Sequence, residues 1–435
     1  MSVITDSADR VIVEPAPYLT GRAEIPADKS IAHRAAMLAA LGDGTSRIVH
    51  FPGSADPQST LACVRALGVE ATEDREGVLV VGGRGLGGLR APAKPLDCGN
   101  SGTTMRLLAG ILAGQSFDSL LTGDASVSSR PMRRIQAPLV EMGARIGLVE
   151  GHAPIRVTGT KLRGIEYELP VASAQVKSCV LLAGLWAEGQ TTVVETIPSR
   201  DHTERMLGLD ALEIGGKRYL SVQGGRRVEP SLYVVPGDFS AAAFLLVAAT
   251  IVKDAALVLS GVGMNPSRTA LLDVLRAMGA QILATNERVV GGEPVADLLV
   301  RSAGLNGLSV GGTIIPNLVD EIPILAVAAT QAVGRTVISD AGELRVKESD
   351  RLSALAKGLT ALGARIEERP DGLVIDGPTP LVGATVESFG DHRIGMAMGV
   401  AGLVAAGATT VLGASSAAVS FPGFWPLLER LAGRA

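Results

Sequence analysis

Aromatic residues make up only 3% of this 435-residue chain, too few to supply stacking platforms for the bases of a nucleic acid. Basic charge is not in excess either. Forty Lys and Arg stand against 44 Asp and Glu, a formal net charge of -4, so no counterion release is available to drive binding to a phosphate backbone, and nucleic acid is excluded as the main partner. Cysteine is scarce: Cys63, Cys98 and Cys179 are isolated from one another. No CxxC or Cys/His spacing occurs, so neither a metal site nor a disulfide framework is indicated, and a reducing, cytoplasmic setting is the natural reading. The N-terminal stretch MSVITDSADRVIVEP carries acids and no apolar centre, and is not read as a targeting signal. Long apolar runs are also few. The run 240–252 is too short to span a bilayer, and 394–413 is rich in Gly and Ala and begins beside Asp391-His392-Arg393. Both are read as helices buried inside a large soluble protein, with no membrane partner. No P-loop is present. A GxGxxG match at Gly83 to Gly88 is followed by Leu89-Arg90-Ala91-Pro92-Ala93-Lys94-Pro95, which cannot open the helix a dinucleotide needs, so it is read as a glycine turn.

What the chain has is length, glycine and a repeat. At 435 residues it is too long for one core and implies two domains of roughly 200 residues each. With 53 Gly and 23 Pro, many short elements joined by tight turns are expected. A pattern of amphipathic helix, Gly and then β-branched strand recurs at Gly68, Gly143, Gly279 and Gly363, with a degenerate copy around Gly208. That spacing suggests a compact α+β unit used several times. The turn Pro236-Gly237-Asp238 is a plausible crossing point between halves.

The polar motifs cluster just before apolar, helix-like runs. Asp28-Lys29-Ser30 opens a helix on which Ser30 and Arg34 share a face, a Lys–Ser–Arg set suited to phosphate or carboxylate beside a positive helix end; a capping Asp is the plainer alternative. Similar positions are held by Gly99-Asn100-Ser101-Gly102-Thr103-Thr104-Met105-Arg106, Arg130-Pro131-Met132, Ser173-Ala174-Gln175-Val176-Lys177 and the polar run from Ser199 and Arg200 to Arg205. Asp320-Glu321 enters a strongly apolar run, where an acid against an apolar wall suits a general base and a first-turn acid suits the helix dipole. In the charged run from Glu343 to Arg351, Lys347 and Arg351 are expected on one helical face with Glu348 beside them. Gly390-Asp391-His392-Arg393 precedes the last buried run.

These motifs, in this order, resemble the enolpyruvyl transferase family, in the branch that acts on shikimate 3-phosphate. The resemblance rests on DKSIAHR (28–34), GNSGTTMR (99–106), RPM (130–132), SAQVK (173–177), Asp320-Glu321, RVKESDR (345–351) and GDHR (390–393). It implies an α+β protein of two lobes, an inside-out α/β barrel of six βαβαββ repeats, three per lobe. Residues 1–21 and 238–435 would form the lobe carrying Asp320, Lys347, Arg351 and Arg393. Residues 22–237 would form the lobe carrying Lys29, Arg34, Arg130 and Gln175. The implied reaction transfers the enolpyruvyl group of phosphoenolpyruvate to the 5-hydroxyl of shikimate 3-phosphate, releasing phosphate, with no metal or organic cofactor, in a cytoplasmic monomer. Lys29, Ser30, Arg34, Ser173, Ala174, Gln175, Ser199, Arg200, Asp320 and Lys347 would hold shikimate 3-phosphate. Lys29, Gly102, Arg130, Gln175, Arg351 and Arg393 would hold phosphoenolpyruvate. Asp320, Glu348 and Lys29 would be catalytic, Asp320 as the base on the 5-hydroxyl.

The chain departs from the family pattern at three places. Val419 stands where a lysine is common before Phe421-Pro422, Ala174 replaces a frequent Ser, and Glu343 replaces a frequent Asn. ASAQVKS, RDHTE and LRVKESDRLSA resemble the branch that includes glyphosate-tolerant members, whereas Gly102 is the small residue associated with sensitivity. Three rivals remain: the sister transferase acting on UDP-N-acetylglucosamine, an RNA 3′-phosphate cyclase on a related repeat, and a non-catalytic anion-binding relative. No cysteine lies in the loop where the first normally carries one, the acidic balance opposes the second, and retention of Lys29, Asp320 and Glu348 opposes the third.

Overall fold

Each glycine of the helix–Gly–strand repeat has a backbone that other residues rarely adopt. Gly68, Gly143, Gly208, Gly279 and Gly363 have φ of 88°, 98°, 60°, 109° and 87°. A glycine there ends the preceding helix and turns the chain into the next strand without a Cβ penalty. The helices so ended include Ala55–Ala66, Arg133–Glu141, Ala270–Met278 and Arg351–Ala361. A sixth copy, which the sequence pattern does not reveal, is Phe424–Leu431 followed by Gly433 at φ 68°.

The structure is a computed structural model that describes residues 9–433; residues 1–8, the start of the acidic N-terminal stretch, and 434–435 lie outside the described residues. The chain forms two compact units, one of Ala27–Val235 with Val290–Gly292 (the Lys29 unit) and one of Met1–Pro26, Pro236–Val289 and Glu293–Ala435 (the Asp320 unit). The boundaries differ from the expected 21/22 and 237/238. Strand Thr20–Glu24 pairs in parallel with Ala256–Gly263 and carries residues 22–26 into the Asp320 unit. Gly237 and Asp238 also bond within that unit, through Gly261 and Pro26.

Each unit contains three small sheets of one pattern, and the Lys29 unit adds a two-stranded parallel pair, Leu162–Arg163 with Ala187–Glu188. In the Lys29 unit, Ser119–Thr122 lies parallel to Leu96–Asp97 and antiparallel to His152–Thr158, which pairs with the edge strand Arg145–Val149. The other two four-stranded sheets of that unit are built the same way around Thr45–Val49 and Gln190–Glu195. In the Asp320 unit, two sheets centre on Ala256–Gly263 and Gly334–Ile338. The third has three strands, Thr385–Glu387, Thr409–Leu412 and Arg10–Val13, the last pairing antiparallel.

An apolar helix accompanies each sheet and fills the unit's interior. In the Lys29 unit these are Lys29–Leu41, Gly102–Ala113 and Ala174–Gly184; in the Asp320 unit they are Phe239–Ile251, Ile322–Gln331 and His392–Gly402. They are buried on nearly every side, which explains why 240–252 and 394–413 lack amphipathic periodicity. Among the described residues no single helix is long and apolar enough to cross a membrane. The Gly83–Gly88 loop is followed by strand Leu96–Asp97 and not by a helix. A Cβ on Gly83 would lie 2.2 Å from the carbonyl oxygen of Gly42, so that glycine serves close backbone packing.

Polar ties hold the first turns of the three Lys29-unit helices side by side. His33 Nδ1 bonds Thr60 Oγ1 (2.6 Å), Thr60 bonds Thr104 Oγ1 (2.6 Å), and Thr104 donates to Ser101 (2.8 Å). Arg106 donates to Gln175 Oε1 (2.5 Å), and Arg34 donates to Ser178 Oγ (2.7 Å). The three helices are thus joined pairwise near their N-termini. Burial pushes the His33 imidazole down to about 3, assisted by the nearby charges of Lys29 and Arg34 and opposed by Asp56. A histidine depressed in the folded state adds stability above its unfolded value of about 6.5, and that stability is lost as pH falls toward 3. His33→Gln is expected to flatten the acid side of the pH–stability profile between those values by about 1.4 kcal/mol per pH unit. Denaturant unfolding at a series of pH values measures this, and an unchanged slope excludes it.

Candidate active site

The starts of the three Lys29-unit helices are capped by short side chains that leave the next residues for other work. Asp28 accepts from the Ile31 amide (3.0 Å), Ser101 from Thr104 (3.0 Å) and Ser173 from Val176 (3.4 Å). The capping explanation therefore holds for these three residues. It does not account for Lys29, Ser30, Gly102, Ala174 and Gln175, which occupy the first turns. First-turn amides and the positive end of the dipole favour an anion.

Around these starts the cations are held in place by other side chains. Lys29 Nζ lies 3.0 Å from Asp56 Oδ2. Arg130, almost fully buried, donates to Asn100 Oδ1 (2.9 Å) and Ser126 Oγ (3.2 Å), while Asn100 donates to Asp124 (2.8 Å). Arg34 donates through Nε to Thr203 Oγ1 (2.6 Å) and through Nη1 to the Ser30 carbonyl (2.9 Å). Gln175 donates to Thr103 Oγ1 (3.0 Å) in addition to accepting from Arg106. Ser199 donates its hydroxyl to Glu195 (2.5 Å), and Arg200 beside it is half-buried. Arg106 is the residue that reading the sequence alone passes over. It sits four positions after Gly102 on the same helix, within a motif that the sequence displays, and lacks only a visible partner there.

In the Asp320 unit the hub is Arg351, whose side chain is 1% exposed. Its guanidinium reaches Asp391 Oδ2 (2.8 Å), Glu348 Oε2 (2.6 Å) and Asp320 Oδ1 (3.2 Å). Burial opposes the charge, but the carboxylates of Asp391, Glu348 and Asp320 outweigh it and hold Arg351 above its ordinary value. Asp391 also caps its helix by accepting from the Arg393 amide (2.9 Å). Arg393 donates to the Asp320 carbonyl (2.8 Å), and its Nη2 lies 3.7 Å from the Asp320 carboxylate. Asp320 therefore stands between two guanidiniums, with 16% of its side chain exposed. Glu348 is similarly placed at 17%.

Behind this hub a second chain of buried groups ties the helix starts together. Ser240 donates to Glu321, and Arg268 donates to Asp238 Oδ1 (2.9 Å) and Ser240 Oγ (2.8 Å). Glu321 lies 3.9 Å from Arg393. Neither Ser240 nor Arg268 stands out in the sequence, although Asp238-Phe239-Ser240 repeats the form of Asp28-Lys29-Ser30 and could have signalled the position.

One expectation is corrected. Lys347 and Arg351 do not share a helical face: Gly342–Val346 is a short 3₁₀ turn, Lys347 is extended, and the helix begins only at Arg351, where Asp350 caps it through Ser353 (3.1 Å). Lys347 lies 4.0 Å from Glu343 and keeps 26% of its side chain exposed. Desolvation nevertheless holds its ammonium below the ordinary lysine value, against the pull of Asp320 and Glu343. Val419 ends the turn Ala414–Val419 and is half-buried. Each unit thus offers fixed cations, and the Asp320 unit adds two carboxylates with solvent access, a set able to bind anions and move a proton.

The family described as EPSP synthase (3-phosphoshikimate 1-carboxyvinyltransferase) matches residues 13–428. A 3-phosphoshikimate 1-carboxyvinyltransferase of Salinibacter ruber is 63% identical over 423 residues, 96% of this chain and 98% of that protein. One of Gloeobacter violaceus is 56% identical over 425 residues, 96% and 98% of the two chains. A solved EPSP synthase of Acinetobacter baumannii superposes with a TM-score of 0.85 at 44% identity, covering 97% of this chain and 98% of that one. The enolpyruvyl transferase NikO of Streptomyces tendae shares the fold at a TM-score of 0.77 and 19% identity, over 98% of each chain. The repeated α+β fold, the ordered motifs and these relatives agree: the chain belongs to the EPSP synthase family of 3-phosphoshikimate 1-carboxyvinyltransferases.

Proposed function

We propose that this chain transfers the 1-carboxyvinyl group of phosphoenolpyruvate to the 5-hydroxyl of shikimate 3-phosphate and releases phosphate, on the route to chorismate and the aromatic amino acids. The reading includes a cytoplasmic monomer with no nucleic-acid or membrane partner, in keeping with a net charge of -4 and three buried free thiols. The relatives' names favour shikimate 3-phosphate as acceptor over UDP-N-acetylglucosamine, and the retained carboxylates argue against a role limited to anion binding.

The observation that carries the division of roles is the buried Arg351 joined to Asp320, Glu348 and Asp391. A guanidinium locked in this way is a pre-aligned fork for the phosphate or carboxylate of phosphoenolpyruvate, with Arg393, Arg130 and Lys29 as further cations. Gly102 gives that substrate close access to a helix start, and Gln175 takes part in its contacts. Shikimate 3-phosphate is held by Lys29, Ser30, Arg34, Ser173, Ala174, Gln175, Ser199, Arg200 and Lys347. Asp320 removes the proton of the 5-hydroxyl as oxygen attacks C2 of phosphoenolpyruvate. Glu348 or Lys29 delivers a proton to C3, giving a tetrahedral intermediate that then loses a C3 proton and phosphate. Fixed cations favour the charge distribution of the addition over that of the separated reactants.

Three outcomes are expected. Asp320→Ala lowers turnover at least ~100-fold, the usual worth of a positioned base, while shikimate 3-phosphate still binds by calorimetry. Near-normal phosphate release would remove Asp320 from the role. A Cβ at Gly102 would lie 3.1 Å from Arg106 Nη1 and 3.2 Å from Arg130 Nη1, so Gly102→Ala crowds both guanidiniums. Glyphosate should compete with phosphoenolpyruvate, and this variant should raise its inhibition constant; equal constants for variant and wild type would count against this. Because Lys347 is held below the ordinary lysine value, its charge is lost as pH rises, earlier than for a solvated lysine at about 10.4. The KM for shikimate 3-phosphate should climb on the alkaline side, and Lys347→Arg should move that rise upward, as a KM profile from pH 7 upward would reveal.

A further inference from the structure

Lys177 stands two residues after Gln175 on the helix Ala174–Gly184, and its side chain is wholly buried. Its ammonium meets three acceptors: Glu195 Oε2 at 3.0 Å, Glu204 Oε1 at 2.7 Å and the Ser199 carbonyl at 3.2 Å. Two of these contacts are hydrogen bonds and the third is an ion pair, so the wholly buried Lys177 ammonium is committed within the unit and not to a substrate.

The other oxygen of Glu195 faces the same residue that Lys177 holds. Glu195 Oε1 accepts from the Ser199 amide (3.2 Å) and the Ser199 hydroxyl (2.5 Å). Ser199 is therefore gripped at its amide, its carbonyl and its hydroxyl. Four residues later Thr203 is gripped in turn, by Arg34 Nε (2.6 Å) and by the Ser178 hydroxyl (2.7 Å). Arg200 lies between these anchors, half-buried. Glu204 has the Lys177 ammonium as its counter-charge in an ion pair, and neither of its buried carboxylate oxygens has a hydrogen-bond donor among the described residues. Arg218 Nη1 lies 3.8 Å from Glu195.

A lysine and two glutamates are a costly way to fill the interior of a helix-packed unit, since apolar residues of similar volume fill it with less desolvation. What such a network supplies is a single arrangement, because a buried charge drawn away from its counter-charge is costly. Here the arrangement sets the 199–203 segment against the first turn of the Ala174 helix, and so aligns Ser173, Ala174 and Gln175 with Ser199 and Arg200.

We propose that Lys177, Glu195 and Glu204 form a buried ionic clamp that fixes the 199–203 segment for the phosphorylated acceptor, so that they set affinity for that substrate without touching it. The inference rests on the reading of Ser199 and Arg200 as contacts of shikimate 3-phosphate. Lys177, Glu195 and Glu204 are positioning residues. Their loss should appear chiefly in one substrate's KM, because Ser199 and Arg200, which the clamp fixes directly, are assigned to shikimate 3-phosphate alone, whereas Gln175 is shared and keeps its own ties to Arg106 and Thr103.

The test uses the full chain with both substrates. Glu195→Gln keeps the shape but presents a donor to one side of the clamp. Lys177→Met combined with Glu204→Gln removes one cation and one carboxylate together, which keeps the site's net charge unchanged and guards against a variant that merely fails to fold. Both are expected to raise the KM for shikimate 3-phosphate about tenfold, a modest misplacement by the standard of catalytic geometry, with the KM for phosphoenolpyruvate within about twofold. Binding of shikimate 3-phosphate alone, measured by calorimetry, should weaken by the same factor. An unchanged KM for shikimate 3-phosphate, or equal rises for both substrates, overturns the clamp. A lower melting temperature with both KM values unchanged does the same, since that is what a purely structural role produces. Arg200→Ala separates the two claims: if it leaves the acceptor KM unchanged, the reading of Arg200 fails; if it raises that KM while Glu195→Gln does not, the clamp alone fails.

Discussion

Each unit packs three apolar helices whose N-termini begin side by side, and most of the polar structure follows from that constraint. Three sets of unpaired amides and three positive dipole ends then share one small region. Left alone they would repel one another and strand their donors. The caps at Asp28, Ser101, Ser173, Asp238 and Asp391 answer the first demand within each helix. The ties from His33 to Thr104, Arg106 to Gln175, and Ser240 to Glu321 hold the ends together against the second. What remains is a gathering of helix N-termini and cations fixed by their carboxylate partners, and small multiply charged anions are the partners that suit it. Substrate class is in this sense a property of the helix packing, and individual residues refine it.

The Asp320 unit adds carboxylates to this plan, and that addition separates chemistry from mere binding. Arg351 touches three of them, so the positive charge that attracts substrate also holds the groups able to move a proton. Had Asp320 and Glu348 been fully buried, they could not reach a substrate; had they been fully exposed, nothing would orient them. Their partial exposure beside a rigid guanidinium meets both needs.

Features set by close neighbours along the chain are legible in its residues alone. The helix–Gly junctions at Gly68, Gly143, Gly279 and Gly363 can be read because a glycine of positive φ leaves a local mark. The helix-start motifs can be read because capping chemistry is confined to three or four residues. Groups whose meaning lies in distant partners are not legible. Arg106 meets Gln175 across 69 residues, and Arg351 meets Asp391 across 40; no pattern around either residue announces the other. The expected face shared by Lys347 and Arg351 fails for the opposite reason. Its i, i+4 spacing is a local signal, but Asp350 caps the helix and starts it too late to include Lys347. The sixth repeat is hidden because its sheet is completed from the other end of the chain, which breaks the period.

That last feature bears on how the protein is made. Strand Arg10–Val13 leaves a ribosome long before its partner Thr409–Leu412, which lies far later in the chain. The sheet they share cannot close until Thr409–Leu412 has been synthesised, whereas every sheet of the Lys29 unit has all its strands by Val234. One half of the protein can therefore complete itself during synthesis while the other waits, with an early strand kept unpaired throughout. The order of assembly is written into the topology, and the unit that finishes second is the one that carries Arg351 and its carboxylates.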